Sequence, residues 1–323
     1  MNLKTVRETI RDTIAEEMRI DPKIFLLGEE VGEYQGAYKV SQGLLDEFGS
    51  KRIVDTPITE AGFAGLAVGA AMNGLKPIVE FMTWNFGMQA IDHIINSAAK
   101  TFYMSGGKIN VPILFRGPNG IASRVAAQHS QDYSSWYSHI PGLKVLSPFD
   151  ASDARGLLKA GIKDNNPVIF LEHELLYNEK FELDIHEDKV IIGKAKIMKE
   201  GKDITIISYS RALVTALEVH KELAEKNISS EIINLRTLKP LDKETILKSV
   251  KKTNKAVVIE DGWSQSGVAS EVITMIVENI FDYLDAEPIR FCGKDVPLPY
   301  AENLEKLALP EKELIINRCL EIC

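Results

Sequence analysis

Cysteine is scarce in this chain of 323 residues. The three present, Cys292, Cys319 and Cys323, follow neither a disulfide nor a metal-ligand spacing, which fits reduced thiols in a cytosol-like compartment. A basic surplus is lacking too. Lys and Arg number 38 against 46 Asp and Glu, for a net charge of -8, so the composition gives no footing for nucleic acid as a partner. There is no apolar run of about 18 residues and no basic-then-apolar leader ahead of Leu3. The expectation is a chain with no membrane partner, either made in place or already trimmed of a targeting segment. Several motifs are also missing: a GxGxxG after a strand, a GxSxG elbow, HExxH, a P-loop and any Cys-His metal spacing. Nor is there a GDG-plus-Asn string of the kind that grips a magnesium-bound diphosphate. The nearest text, Glu260-Asp261-Gly262-Trp263, stands late in the chain. Internal repeats and low-complexity segments are absent.

What is present is enough apolar content, 45%, for a full core, and enough length for two domains at about 150 residues each. The organising stretch is Asp55 to Pro77, DTPITEAGFAGLAVGAAMNGLKP. It reads as a strand end, a Pro turn and a helix of small residues, with Thr59 expected to cap the helix through its side chain and Gly74 to end it. Interior glycines at 62, 65 and 69 each cost a helix about 1 kcal/mol relative to Ala, so close approach of another group is the expected compensation. One acid, Glu60, sits at the helix mouth, as a helix-dipole partner or as a working group.

Along the chain, apolar residues at helix spacing (Leu3, Val6, Ile10, Ile14, Met18) precede a buried strand at 24–27. Gly28-Glu29-Glu30 follows, hanging two acids from a strand's C-terminal end, where open α/β sheets collect ligands. Further strands are expected at 53–54, 77–81, 111–115, 144–146 and 168–172. Arg116-Gly117-Pro118-Asn119-Gly120 is read as a loop, and one long helix is expected after Thr83-Trp84-Asn85-Phe86-Gly87, running through Ala99. Trp84 and Phe86 are placed to stack a flat ligand or to pack in the core. His129 lies in the polar stretch AAQHSQDYSSWYSHIPG, open to catalysis or to a structural role. Asp164-Asn165-Asn166-Pro167 ends a helix, either as a plain Asx turn or as carbonyls able to hold a monovalent cation. The strand-helix alternation predicts an α/β fold with a doubly wound, mostly parallel sheet over residues 1–177. A charged connection over 178–193 and a smaller α/β domain over 194–323 complete the reading.

Six segments are then recognisable in order: LLGEEVGEYQGAYKV (26–40), DTPITEAGFAGLAVGAAMNGLKPIVEFMTWNF (55–86), INSAAKTFYMSGG (95–107), FRGPNG (115–120), AAQHSQ (126–131) and VPLPYA (296–301). Together they resemble the beta subunits of the pyruvate dehydrogenase decarboxylating component, among the transketolase-like thiamine enzymes, over essentially the whole chain. The resemblance implies a transketolase pyrimidine-binding domain followed by a transketolase C-terminal domain. It also implies an alpha subunit that supplies the diphosphate and Mg2+ site, which accounts for the missing GDG string.

By the same resemblance, Glu60 matches the acid that protonates the aminopyrimidine of thiamine diphosphate, so that its imino form removes the thiazolium proton. Burial suits a carboxyl to that task because desolvation disfavours the charged form. Phe86 matches the aromatic stacked on the pyrimidine, with Ile58 and Gln89 as neighbours. Glu29 matches an acid near the cofactor, and His129 a histidine of the active-site channel. Ile113, Gly161, Ile162, Asp164 and Asn166 match a structural K+ site built largely from backbone oxygens. The implied reaction is oxidative decarboxylation of pyruvate, with acetyl transfer to lipoyl groups of a dihydrolipoyl acetyltransferase core. The implied assembly is two alpha and two beta chains. The acyltransferase contact falls on the C-terminal domain, including Trp263 and the 295–301 stretch. Alternatives are a branched-chain 2-oxo acid or acetoin dehydrogenase beta subunit, and, from another class, a non-catalytic assembly or regulatory subunit. With no leader, bacterial cytoplasm is favoured over a processed mitochondrial matrix chain.

Overall fold

The computed structural model describes residues 3–184 and 190–323. Two units divide the chain. One takes Met1–Asn119 and Trp136–Ile192, the other Gly120–Ser135 and Gly193–Cys323. The second unit thus holds a segment, 120–135, that lies within the first in sequence.

In the first unit, α1 (Val6–Ile20) opens with a capping box. Thr5 Oγ1 accepts the Glu8 N–H at 3.1 Å while the Glu8 carboxylate accepts the Thr5 N–H at 3.0 Å. Val6, Ile10, Ile14 and Met18 are buried as their spacing demands. Leu3 is not part of that face. It is 57% exposed, in a strand Leu3–Thr5 paired antiparallel with Lys180–Glu182. The charged 178–193 stretch is therefore partly sheet, and its residues 185–189 lie outside the described residues.

The main sheet of this unit is built from β1 (Ile24–Gly28), β2 (Ile53–Asp55), β3 (Lys76–Glu80), β4 (Leu114–Pro118), β5 (Lys144–Leu146) and β6 (Val168–Glu172). Their order is β5-β6-β4-β3-β1-β2, and every one of these pairs is parallel. The strands read as nearly continuous apolar runs, which a parallel sheet covered on both faces requires.

Two expectations for this unit are corrected. The strand expected at 111–115 lies at Leu114–Pro118, so Arg116 is not in a loop but inside β4 and 1% exposed. Carboxylates on both flanking strands make that burial tolerable. The long helix expected after Gly87 is broken into a 3-10 turn Met88–Ala90, a π-helical stretch His93–Ala98 and an α segment Ala99–Met104, behind a separate α turn Trp84–Gly87. Trp84 is fully buried against Phe81 (5.3 Å between ring centroids) and Tyr137 (4.8 Å), so it is core rather than a ligand platform.

The small-residue helix α2 (Glu60–Met72) buries Phe63, Ala64, Ala67, Val68 and Ala71 and leaves Ala61, Gly62, Leu66 and Met72 exposed. Thr59 stands at the N-cap position, but its side chain makes no capping hydrogen bond, contrary to expectation. The hydroxyl lies instead over Gly62, 2.9 Å from where a Cβ would stand. Gly74, at φ +88°, follows the C-cap Asn73 as anticipated. The helix α3 (Ala151–Lys163) packs on α1.

The second unit has β7 (Lys196–Lys199), β8 (Ile204–Ser208), α4 (Ala212–Glu225), β9 (Ser230–Asn234), α5 (Lys243–Thr253), β10 (Ala256–Trp263), α6 (Val268–Ile280), β11 (Ile289–Gly293), α7 (Glu302–Leu307) and α8 (Lys312–Ile322). Its sheet runs β11-β10-β8-β9-β7, parallel except for the antiparallel edge strand β7. Strand β10 reaches Trp263 through an irregular register between Ile259 and Trp263. Among the described residues no helix is long and apolar enough to cross a membrane.

Candidate active site

The acids singled out in the sequence stand at the C-terminal edge of the first unit's sheet. Strand β1 ends at Gly28, where a Cβ would stand 2.4 Å from the Glu80 carbonyl oxygen, so only glycine lets the two strand ends meet. Glu29 follows directly. The loop beyond it is pinned by Asp55 at the end of β2, whose carboxylate accepts the N–H groups of Gly32 (2.6 Å) and Glu33 (2.9 Å). Thr56 donates its N–H to the Gly28 carbonyl at 3.0 Å, tying the chain that leads into α2 to the root of Glu29.

These ties bring Glu29 and Glu60 together. Both are buried, at 4% and 2% exposure. Burial above all, then the charge of Glu60 and a hydrogen bond with it, push the Glu29 carboxyl up to about 7. Each acid keeps a buried oxygen without a protein partner, Glu29 Oε1 and Glu60 Oε2, and the Thr56 hydroxyl beside them is also unpartnered. Buried polar atoms are rarely left so, and a group of them at one sheet edge is a set of donors and acceptors waiting for a ligand. Glu60 is also the first residue of α2, where the helix dipole favours a carboxylate.

Of the other expected cofactor contacts, Phe86 is half-buried on the Trp84–Gly87 turn, which Thr83 caps through Asn85 N–H. Gln89 is exposed on the next turn, and that turn packs against α2. Ile58 is 84% exposed two residues before the helix. His129 belongs to the second unit, exposed at the end of a 3-10 turn Ala127–His129.

Among the candidate K+ residues, Gly161, Asp164 and Asn166 are joined by hydrogen bonds, and Ile113 bonds Val168 two residues beyond Asn166. The Asp164 N–H donates to Gly161 O (3.2 Å), the Val168 N–H to Ile113 O (2.9 Å), and the Asn166 N–H to Asp164 Oδ1 (2.9 Å), while Lys144 pairs with Asp164. The Asx turn before Pro167 is thus present, and Asn166 Oδ1 is buried without a partner.

A buried ionic network under the same edge was not anticipated from the sequence. Arg116 reaches Glu172 through Nε and Nη2, both at 2.5 Å, and Glu80 through Nη1. Tyr177 donates to Glu172 at 2.6 Å. Burial and the neighbouring Glu172 raise the Glu80 carboxyl, and the Arg116 guanidinium works against that rise. The signal in the sequence was an acid closing each of β3 and β6 with a lone Arg on the strand between them.

Comparison with known proteins places this geometry in a family. The family description "Transketolase, pyrimidine binding domain" matches residues 3–180, and "Transketolase, C-terminal domain" matches 193–315. The chain is 58% identical over 324 residues to a pyruvate dehydrogenase E1 component subunit beta of Rhizobium meliloti (strain 1021), covering 100% of this chain and 70% of that one. It is 58% identical to the same subunit of Rickettsia bellii (strain RML369-C), with 99% and 98% covered. It is likewise 58% identical to the mitochondrial subunit beta-1 of Arabidopsis thaliana, with 99% and 89% covered. Among solved structures, a split-gene transketolase described as an inactive beta4 tetramer superposes with a TM-score of 0.81 at 22% identity, covering 98% of this chain and 97% of that one, a likeness of fold. With Glu60 at the mouth of α2 and two transketolase domains in the order read from the sequence, the chain belongs to the family of pyruvate dehydrogenase E1 component beta subunits.

Proposed function

We propose that this chain is the beta subunit of an acetyl-transferring pyruvate dehydrogenase, active only with an alpha subunit in a two-alpha, two-beta assembly. The observation that carries the reading is the buried pair Glu29–Glu60 with an unpartnered oxygen on each acid. These residues fit thiamine diphosphate: two acids at a sheet edge, one raised to about 7, can hold one proton between them and present it to a ring nitrogen. When bound, the cofactor would supply the carbanion-stabilising chemistry of 2-oxo acid decarboxylation.

The chain's own part is to bind and to move a proton. Glu60, through its unpartnered Oε2, would hold the pyrimidine and supply a proton at its ring nitrogen. Glu29, hydrogen-bonded beside it, would keep that proton within the buried pair. Phe86 offers a ring face, with Ile58 and Gln89 bordering it, and His129 serves as an acid-base group for the substrate. The alpha subunit would hold Mg2+ and the diphosphate. K+ would sit among the carbonyls of Ile113, Gly161 and Ile162 with Asp164 and Asn166, a role supported by the unpartnered Asn166 Oδ1. Pyruvate and the dihydrolipoyl acetyltransferase are the reaction partners.

The test is Glu60→Gln in the enzyme assembled with its alpha subunit. Decarboxylation should fall by orders of magnitude with assembly retained. Near-normal turnover would mean a non-catalytic assembly or regulatory subunit instead. Assay of pyruvate against branched-chain 2-oxo acids and acetoin separates the substrate readings.

A further inference from the structure

The segment 120–135, which carries His129, is fastened within the second unit by an unusual set of groups. Its base is closed by the Gly120 N–H donating to Gln131 O at 3.0 Å. At one end Arg124 pairs with Glu302 at 3.2 Å. At the other, Asp132 accepts the Ser134 N–H at 2.7 Å and lines a water-sized void with Ser130, Gly262, Trp263, Gly293 and Lys294. Ser130 is 2% exposed and its hydroxyl has no protein partner.

Behind this end of the segment stands Glu260, on β10 and 1% exposed. Its carboxyl receives the Tyr209 hydroxyl at 3.0 Å and the Cys292 thiol at 3.5 Å. It also accepts the Ala269 N–H in the first turn of α6. Gly267 makes room for it, since a Cβ there would stand 2.1 Å from Glu260 Oε1. Tyr209 also hydrogen-bonds Ser134 and feels the charges of Glu260 and Asp132. One hydroxyl thus joins the buried acid to the segment.

We propose that Asp132, Tyr209 and Glu260 form a latch that sets the position of segment 120–135, which makes Tyr209 and Glu260 positioning residues for His129. The kinetic consequence rests on the reading of His129 given above; the latch itself does not.

The latch is sensitive to protons. Burial first, and then the charge of Asp132, push the Glu260 carboxyl up to about 7. The other groups facing it stay fixed near neutrality. The Cys292 thiol is pushed up to about 12 and the Tyr209 hydroxyl well above its ordinary range. Arg211 is held by Asp261 at 2.7 Å, and Arg290, whose charge reaches Cys292, donates to Ser264 O and Ser270 Oγ. Burial and Asp132 favour the protonated Glu260 while the bonds from Tyr209, Ala269 and Cys292 oppose them, so its net contribution to the fastening is complete at acid pH and is lost as pH rises through about 7. Above that pH the Glu260 carboxylate is repelled by the charge of Asp132.

The test is amide hydrogen exchange of peptides within 121–131, on the complex assembled with its alpha subunit, at pH 6 and pH 8 after correction for intrinsic rates. Wild-type exchange should rise about tenfold between the two, the equivalent of one pH unit of coupling. Glu260→Gln should remove that rise. Tyr209→Phe should speed exchange about fivefold at pH 6, as loss of one hydrogen bond would, and should serve if Glu260→Gln fails to assemble. The alkaline limb of kcat should flatten in Glu260→Gln as well. A pH-dependent rise that persists in Glu260→Gln, or is absent from wild type, overturns the latch. Full turnover by His129→Ala with the exchange pattern intact would instead overturn the role of His129 and leave the latch standing.

Discussion

The imidazole of His93 occupies the space that a side chain on Gly65 would need: an ideal Cβ there would lie 3.0 Å from both Cε1 and Nε2. The π-helical stretch at 93–98 delivers that ring onto α2, and the glycine accepts it. Gly69, one turn on, has nothing within 4 Å of the same position. The two glycines therefore predict opposite outcomes in the isolated chain. Gly69→Ala should stabilise by about 0.5–1 kcal/mol through helix propensity. Gly65→Ala should gain less or lose, because the ring must move. Urea unfolding of the two variants checks this, and equal stabilisation by both would show the ring to be unconstrained.

Arg116 is the single cation between two buried acids. Its removal as Arg116→Met leaves Glu80 and Glu172 uncompensated and should cost about 3–5 kcal/mol. Replacing all three with apolar residues of similar volume should cost much less, because no charge is then left stranded. The midpoint of urea unfolding compares the single and triple variants. A triple variant as weak as the single would mean that the network matters by shape rather than charge.

Glu29 should make stability pH-dependent. Its carboxyl is raised from 4.5 to about 7, so its contribution is complete below the ordinary carboxyl range and is lost as pH rises through about 7. The unfolding midpoint of the cofactor-free chain should fall between pH 5 and pH 8, and Glu29→Gln should flatten that fall. In Glu60→Gln, Glu29 should titrate lower yet still above 4.5, because burial, the largest cause, remains. Carboxyl-carbon NMR titration reads this directly.

If K+ binds at the end of α3, exchanging K+ for choline should lower Tm by a few degrees. Asn166→Ala should abolish that response, since Oδ1 of Asn166 is the buried acceptor left without a partner. A Tm that ignores the cation would remove the site from the account.

The fold was legible where periodicity and punctuation agreed. Lys144–Leu146 and Val168–Glu172 lie at the residues their apolar pattern marks. The misreadings fell where tertiary contacts overrule local signals. Arg116 reads as a loop residue until Glu80 and Glu172 are seen on both sides of it. Thr59 reads as a cap until its hydroxyl is found over Gly62. The π stretch at 93–98 has no local code and answers to the ring that must meet Gly65. At the site, Glu60 was visible as one acid in a helix of small residues. Its coupling to Glu29 was not, because the two meet only through the parallel pairing of β1 with β2 and the Asp55 clasp on the loop between them.

The strand order also has a consequence for the chain as it is being made. Arg116 leaves the ribosome with Glu80 already behind it by 36 residues, but Glu172 lies 56 residues ahead. At roughly 5–20 residues per second, that guanidinium waits several seconds for its second carboxylate. Until then the middle of the sheet holds a cation half-matched, with Val168–Glu172 missing from the edge of Leu114–Pro118. Translation arrested short of Glu172 should yield a nascent domain that proteases cut readily, and release of a few dozen further residues should close it.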